Sequence, residues 1–276
     1  MTVILSGFAD EISPDPAEQL AVLAAESITH LELRSAWSVN IADFTDEQVT
    51  AFRDVISDAG VQVSAIGSPV GKIPVDAPLE PELDRMRRVA DIAGEFGTSL
   101  VRVFSFYLPS GEPPERYRSE VIDRMGQLAR IAESRGVVLA HENEKDIYGD
   151  VPDRCADIIT SVASPALQAT FDAANFVQCG IRPLTDAYPL IRPHLVYVQV
   201  KDARAADGEV TVAGKGDGEM RETLIALRDS GFEGFMSLEP HLDLAGRTSG
   251  FSGPEKYRSA VQALKSLLDE ASIAWE

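Results

Sequence analysis

The sequence predicts an α/β fold, a single (β/α)8 barrel running over residues 1–276. Three observations point to it. Short β-branched apolar runs alternate eight times with longer amphipathic segments, and the runs are apolar almost throughout, as the strands of a covered parallel sheet must be. The 276 residues divide into about 34 per strand–helix unit, which suits a closed eight-unit barrel. An open, doubly wound sheet is the competing architecture, but no Gly-x-Gly-x-x-Gly turn follows the first apolar run. No linker-like, low-complexity or closely repeated stretch divides the chain.

The first strand is expected over 3–6, where Val3, Ile4 and Leu5 precede Ser6. Ser13-Pro14-Asp15-Pro16 then opens a helix over 16–26, with a capping carboxylate ahead of a first-turn proline. A strand over 30–33 is followed by a helix over 46–59, started by Thr45-Asp46-Glu47 and stopped by Gly60. The third pair is a strand over 61–66 and a helix over 80–96. The fourth is 100–104 with 114–135, which closes on Gly136 just before a fifth strand at 137–141. The fifth helix is 152–162, and the sixth strand, 169–171, leads past Asn175 into an irregular helical stretch. The seventh strand occupies 195–200, with a helix over 221–230 closed by Gly231. The eighth, 234–238, precedes the last helix, 254–271. Gly214-Lys215-Gly216-Asp217-Gly218 is rich in glycine, but it follows the seventh strand and lacks phosphate-loop spacing.

Composition is that of an ordinary globular chain, which excludes disordered, collagenous and coiled-coil classes. Lys and Arg number 25 against 44 Asp and Glu, a net charge of −19. A surface this acidic repels phosphate backbones and anionic lipid, so neither nucleic acid nor membrane is an expected partner. No apolar run reaches the roughly 18 residues a membrane span needs. The N-terminus lacks a basic n-region and soon meets Asp10-Glu11, which argues against a signal peptide. Cys155 and Cys179 are too few for a disulfide framework, so a reducing cytoplasm is the expected location. A homo-oligomer is compatible with all of this.

In a barrel, the C-terminal strand ends and the loops after them form the reactive face. Polar residues collect at every such end while the strand bodies stay apolar. The first half supplies Asp10, Glu11, Glu32, Arg34, Lys72 and Arg102. The second supplies His141, Glu142, Asp172, Asn175, Gln199, Lys201, Glu239 and His241. Glu142, Asp172 and Glu239 stand out because each directly follows a strand body. Converging carboxylates repel unless a cation neutralises them, and an oxygen-rich set without thiolate favours Mn²⁺ or Mg²⁺ over structural zinc. The competing reading of each is a helix cap or an ion pair with Arg34, Arg102 or Lys201. His141 alternates with Glu142 along the strand and is expected to pack behind it.

Four stretches carry a resemblance. His141-Glu142-Asn143-Glu144-Lys145, Phe171-Asp172-Ala173-Ala174-Asn175, Tyr197-Val198-Gln199-Val200-Lys201-Asp202 and Ser237-Leu238-Glu239-Pro240-His241 resemble the sugar phosphate isomerase/epimerase family. That family belongs to the xylose isomerase-like TIM-barrel superfamily. The resemblance also takes in Asp10-Glu11 and Ser68-Pro69-Val70-Gly71-Lys72, and it runs over nearly the whole chain. It implies a metal-dependent isomerase or epimerase of a small sugar or polyhydroxy carbonyl compound, acting through proton abstraction next to the carbonyl and an enediolate. One divalent ion, expected to be Mn²⁺ or Mg²⁺, would be held by Glu142, Asp172, Gln199 and Glu239. The family carries histidine where this chain has Gln199. An amide oxygen suits a hard cation but is a weaker donor to transition metals, so a weak site is expected. The two proton-transfer roles fall to Glu142 and Glu239. Arg102, Asn175, Lys201 and His241 are the candidate substrate contacts, although Lys201 equally suits an ion pair with a ligand carboxylate.

Two other readings share the site. A dehydratase is one, since an enediolate beside a leaving hydroxyl can lose water. A catalytically silent sugar-binding barrel is the other, and Gln199 is the residue that suggests it. Activity like that of endonuclease IV is excluded by a content of four histidines and a charge of −19. No strong anion site for a phosphorylated substrate is visible, and Lys72 and Lys215 read as ordinary loop lysines.

Overall fold

The computed structural model describes residues 2–245 and 250–276. Eight parallel strands build the barrel. They are β1 (Thr2–Gly7), β2 (His30–Leu33), β3 (Gln62–Ile66) and β4 (Leu100–Val103), then β5 (Val138–Glu142), β6 (Leu167–Asp172), β7 (Leu195–Val200) and β8 (Phe235–Leu238). Ladder neighbours run from β2 in order round to β8 and then β1, and a parallel bridge between Phe8 and Glu32 joins β1 to β2. The helices outside are α1 (Pro16–Ala25), α2 (Asp46–Asp58), α3 (Glu80–Glu95), α4 (Arg118–Arg135) and α5 (Pro152–Val162). After them come α6 (Ala173–Gln178), α7 (Tyr188–Ile191), α8 (Met220–Asp229) and α9 (Gly253–Glu270).

The helix boundaries follow local chemistry. The Asp15 carboxylate accepts the Ala17 amide at 3.0 Å, with Pro16 in the first turn. Thr45 and Gln48 cap α2 reciprocally, at 3.2 and 2.9 Å. Gly136 closes α4 with φ of 69°, a conformation that a Cβ disfavours. On α3, Leu83, Met86, Ala90 and Ala93 recur at helical spacing and are buried against the barrel.

Three details differ from expectation. The helix read over 114–135 is divided, because Pro114–Tyr117 forms a tighter 3-10 turn ahead of α4. The strand β6 is twice the expected length, since polar Gln168 and Asp172 flank its middle residues and ended the apolar signal on both sides. A short strand, Ala274–Trp275, pairs in parallel with Thr2 and Val3 on the outer side of β1.

The lumen beneath the mouth is polar. Ser6 Oγ meets Ser64 Oγ at 2.6 Å, and Ser64 Oγ meets Tyr197 OH at 2.8 Å. Those residues sit on β1, β3 and β7, which are not ladder neighbours, so the chain of hydroxyls crosses the lumen. Antiparallel hairpins rise from the C-terminal rim after β2 (Ser35–Ala36 with Val39–Asn40), after β7 (Asp202–Ala203 with Val210–Thr211) and after β8 (Leu244–Ala245 with Gly250–Phe251). The glycine-rich loop packs on the second of these. The Asp202 carboxylate accepts the Ala203 and Gly218 amides on Oδ1, each at 2.8 Å. Its Oδ2 accepts those of Gly214 and Gly216 at 2.9 and 3.0 Å. The loop therefore cradles the chain's own anion.

Candidate active site

The strand ends bring three carboxylates together. Glu142 ends β5, Asp172 ends β6 and Glu239 directly follows β8. One oxygen from each lies within 4.8 Å of the others, and all three residues are buried. Asp172 also caps α6, since its Oδ1 accepts the Asn175 amide at 2.8 Å. The helix cap and a place in the carboxylate cluster are thus compatible in that aspartate.

Lys201, Arg102 and Arg34 face this cluster. Lys201 Nζ lies 2.9 Å from Asp172 Oδ2 and 2.8 Å from Glu239 Oε2. Arg102 Nη1 lies 3.3 Å from Glu142 Oε2 and 3.6 Å from Glu239 Oε1. Arg34 Nη1 reaches Glu239 Oε1 at 3.0 Å, and its Nε reaches Asp10 Oδ2 at 2.8 Å. Both guanidinium groups lie over the Phe8 ring, 4.4 and 4.8 Å from its centroid.

These surroundings push the carboxyls apart. Burial and the neighbouring Glu239 hold the Glu142 carboxyl well above its ordinary range, although Arg102 opposes them. Burial would do the same to Glu239, but Lys201, Arg102 and Arg34 outweigh it and hold that carboxyl well below. Asp172 is pushed up to about 6 by burial, which Lys201 partly offsets. Two acids of the same type in one mouth thus take opposite protonation tendencies.

The remaining expected residues fall into place around the cluster. Asn175 turns its amide to the protein, donating to Glu142 Oε1 at 3.0 Å and to the Asn143 carbonyl at 2.9 Å. Gln199 stands in register between Asp172 and Ser237. Its Nε2 donates to Glu32 Oε1 at 3.3 Å, while its Oε1 is buried and accepts nothing. His241 Nε2 lies 3.4 Å from Glu11 Oε1 and 3.5 Å from Glu239 Oε1. Its ring lies against Gly250, where any Cβ would overlap it. His141 packs its ring against Gly149 with neither ring nitrogen hydrogen-bonded. Lys72 pairs with Glu144 at 3.2 Å.

Sequence reasoning brought Glu11, Glu32 and Arg34 to the reactive rim but gave them no catalytic, metal-binding or substrate role. Glu11 accepts the His241 amide and the Ser252 hydroxyl, each at 2.8 Å, and burial pushes its carboxyl up to about 8. Glu32 accepts the Ser237 hydroxyl at 2.7 Å and is pushed up to about 7 by burial. The available signal was a charged residue at or just beyond the end of an apolar strand, the same signal that marked Glu142.

The oxygen set suits a hard divalent cation. Gln199 Oε1 is buried and accepts no hydrogen bond, while Glu142 Oε2 and Asp172 Oδ2 are buried and face only the cations Arg102, at 3.3 Å, and Lys201, at 2.9 Å, whose charge a metal ion could replace. The Lys201 ammonium contacts two of the three carboxylates a metal would need.

The xylose isomerase-like TIM barrel family matches residues 18–267. A 2-epi-5-epi-valiolone 7-phosphate 2-epimerase from Actinoplanes sp. is 31% identical over 191 residues, covering 64% of this chain and 64% of that protein. The chain therefore spans somewhat under two thirds of that relative's length. A D-tagatose 3-epimerase-like protein has the same fold, with a TM-score of 0.75 at 16% identity, covering 99% of this chain and 98% of that one. A xylose isomerase-like barrel from Mycobacterium smegmatis, solved in complex with magnesium, gives a TM-score of 0.70 at 21% identity, covering 96% of this chain and 97% of that one. Among the described residues no helix is long and apolar enough to cross a membrane.

Proposed function

The chain belongs to the xylose isomerase-like TIM barrel family, and from that membership we propose that it is an isomerase or epimerase of a small sugar or polyhydroxy carbonyl compound. The observation that carries the reading is the opposition of Glu142 and Glu239, whose oxygens lie within 4.8 Å while their acidities are pushed in opposite directions. Glu239, whose carboxyl Lys201, Arg102 and Arg34 push towards the ionised form, is the group suited to take a proton from the carbon next to the carbonyl. Glu142, whose carboxyl burial pushes towards the protonated form, is suited to return one. Asn175 fixes the Glu142 carboxyl by its 3.0 Å hydrogen bond, as a positioning residue. Arg102 stands between the two glutamates and can stabilise the negative oxygen of an enediolate. Lys201 and His241, beside Glu239 at 2.8 and 3.5 Å, are the proposed contacts to substrate oxygens. A divalent cation, Mn²⁺ or Mg²⁺, held by Glu142, Asp172 and Glu239 with the Gln199 amide oxygen as fourth ligand, would supply Lewis-acid polarisation of the carbonyl. The name of the Actinoplanes relative, an epimerase, supports the same reaction class.

Incubation with a panel of ketoses and aldoses in deuterated water, with Mn²⁺ or Mg²⁺ supplied, tests the reading. Deuterium should enter the carbon next to the carbonyl. Glu142→Gln should slow that exchange by about 10²–10⁴-fold, the range of a lost general acid or base. Asn175 can still donate to the amide oxygen of the variant, so the protein should remain folded. A substrate that loses water instead would make the chain a dehydratase. Binding of sugars with no exchange would identify the silent barrel.

A further inference from the structure

A cleft of about 650 Å³ opens beside the carboxylate cluster, between the hairpin after β2 and the hairpin after β8. Its volume is that of a small-molecule site, roughly 300–1,000 Å³. The polar lining is Asp10, Ser35, Ser38, Asn40 and Asp43, and Pro69, Leu244 and Phe251 supply apolar faces. It adjoins the cluster at Arg34, which lines it and also touches Glu239 Oε1 at 3.0 Å.

The charges of that lining decide what fits. Arg34 is the cation among the lining residues, and it is already neutralised by Asp10 at 2.8 Å, Glu239 at 3.0 Å and Glu11 at 3.8 Å. Asp10 receives Arg34 and the Ser35 hydroxyl on Oδ2, each at 2.8 Å, while its Oδ1 accepts nothing. A phosphate here would face Asp10 and Asp43 with Arg34, the cation among the described lining residues, committed elsewhere, an unfavourable encounter of like charges. A neutral polyol meets the opposite situation. Its hydroxyls can donate to carboxylates and exchange hydrogen bonds with Ser38 and Asn40, and its C–H face can lie on Leu244 and Phe251.

We propose that this cleft is a second sugar subsite, taking an uncharged hydroxyl-bearing ring joined to the unit that reacts in the mouth and disfavouring phosphorylated substrates. The inference rests on the reading of the mouth as a sugar site, and the test separates the two. Binding of glucose, maltose and glucose 6-phosphate is compared by saturation-transfer NMR on the whole protein. Maltose should bind at least threefold more tightly than glucose, and glucose 6-phosphate more weakly than glucose. Asp43 is exposed, so Asp43→Lys should leave the fold intact, remove the maltose advantage and strengthen glucose 6-phosphate binding at least threefold. Phe251→Ala should reduce the maltose advantage without restoring phosphate binding. Glucose and maltose binding equally, or glucose 6-phosphate binding best to the unaltered protein, overturns the subsite and leaves sugar binding at the mouth standing. No binding by any of the three overturns both.

Discussion

Lys201 reaches Glu239 Oε2 at 2.8 Å and, with the same ammonium, Asp172 Oδ2 at 2.9 Å. All three side chains are 4% exposed or less, so this lysine compensates two buried carboxylates that water cannot. Lys201→Met should therefore destabilise the metal-free protein by about 3–5 kcal/mol, the usual consequence of removing one partner of a buried pair. Mn²⁺ should then restore much of the loss, because a divalent ion replaces the missing charge. At a hundredfold excess over its dissociation constant it contributes about 2.7 kcal/mol. Thermal melts of both proteins with and without Mn²⁺ check this. A variant whose melting temperature ignores Mn²⁺ would show that these carboxylates do not bind the ion.

Gln199 is the second point at which metal affinity can be read directly. Its Oε1 is buried without a partner while its Nε2 is spent on Glu32 at 3.3 Å. Gln199→His exchanges the amide oxygen for an imidazole nitrogen, the stronger donor to a transition metal. Mn²⁺ binding should tighten about tenfold, equivalent to about 1.4 kcal/mol. Calorimetric titration of both proteins measures it, and equal affinities would place Gln199 outside the coordination sphere.

Much of this arrangement was legible before any coordinates. The strands β2 and β7 occupy the expected residues, because each is bounded by clear polar or turn signals. Glu142, Asp172 and Glu239 were visible because a carboxylate at the end of an apolar strand is a local pattern. Arg34, Arg102 and Lys201 were legible as their possible partners, but not which pairs form. Arg34 and Glu239 are 205 residues apart, and neither neighbourhood singles out the other as the partner it touches at 3.0 Å. Glu32 was equally hidden, since its partners Gln199 and Ser237 meet it across the lumen rather than along a ladder. The outer pairing of Trp275 with Val3 joins the two ends of the chain, where a two-residue strand carries no periodic signal.

The glycine-rich loop yields a stability prediction. Gly216 and Gly218 press against Asp202, and a Cβ on Gly216 would lie 2.4 Å from the Ala203 carbonyl oxygen, which the backbone cannot readily yield. Asp202→Ala strands four amides that now donate to one carboxylate. At about 1 kcal/mol for each net hydrogen bond, and with water satisfying part of the deficit, the loss should be about 3 kcal/mol. That corresponds to roughly 6–12 °C in melting temperature for a chain of this size. Gly216→Ala should also destabilise through the overlap. An Asp202→Ala protein that melts with the parent would mean that the loop closes without its anion.

His141 sets an acid limit on the fold. Burial pushes its pKa down to about 4, and neither ring nitrogen has a hydrogen-bond partner, so the native state holds it neutral. The unfolded chain protonates it near 6.5. Between those values the unfolded state binds the extra proton, so stability is complete above about pH 6.5 and falls as the pH drops towards 4. One pKa unit is worth about 1.4 kcal/mol, so this residue should remove about 2 kcal/mol between pH 7 and pH 5. The buried carboxylates titrate as well, and a comparison with His141→Leu cancels them. The substitution breaks no hydrogen bond and removes the titration, so the difference in unfolding free energy between parent and variant should shift by about 2 kcal/mol in the variant's favour from pH 7 to pH 5. Urea unfolding at the two pH values measures that shift. A difference that stays constant with pH would mean that the pocket against Gly149 admits water or a proton, and that His141 is not the neutral packing residue its contacts describe.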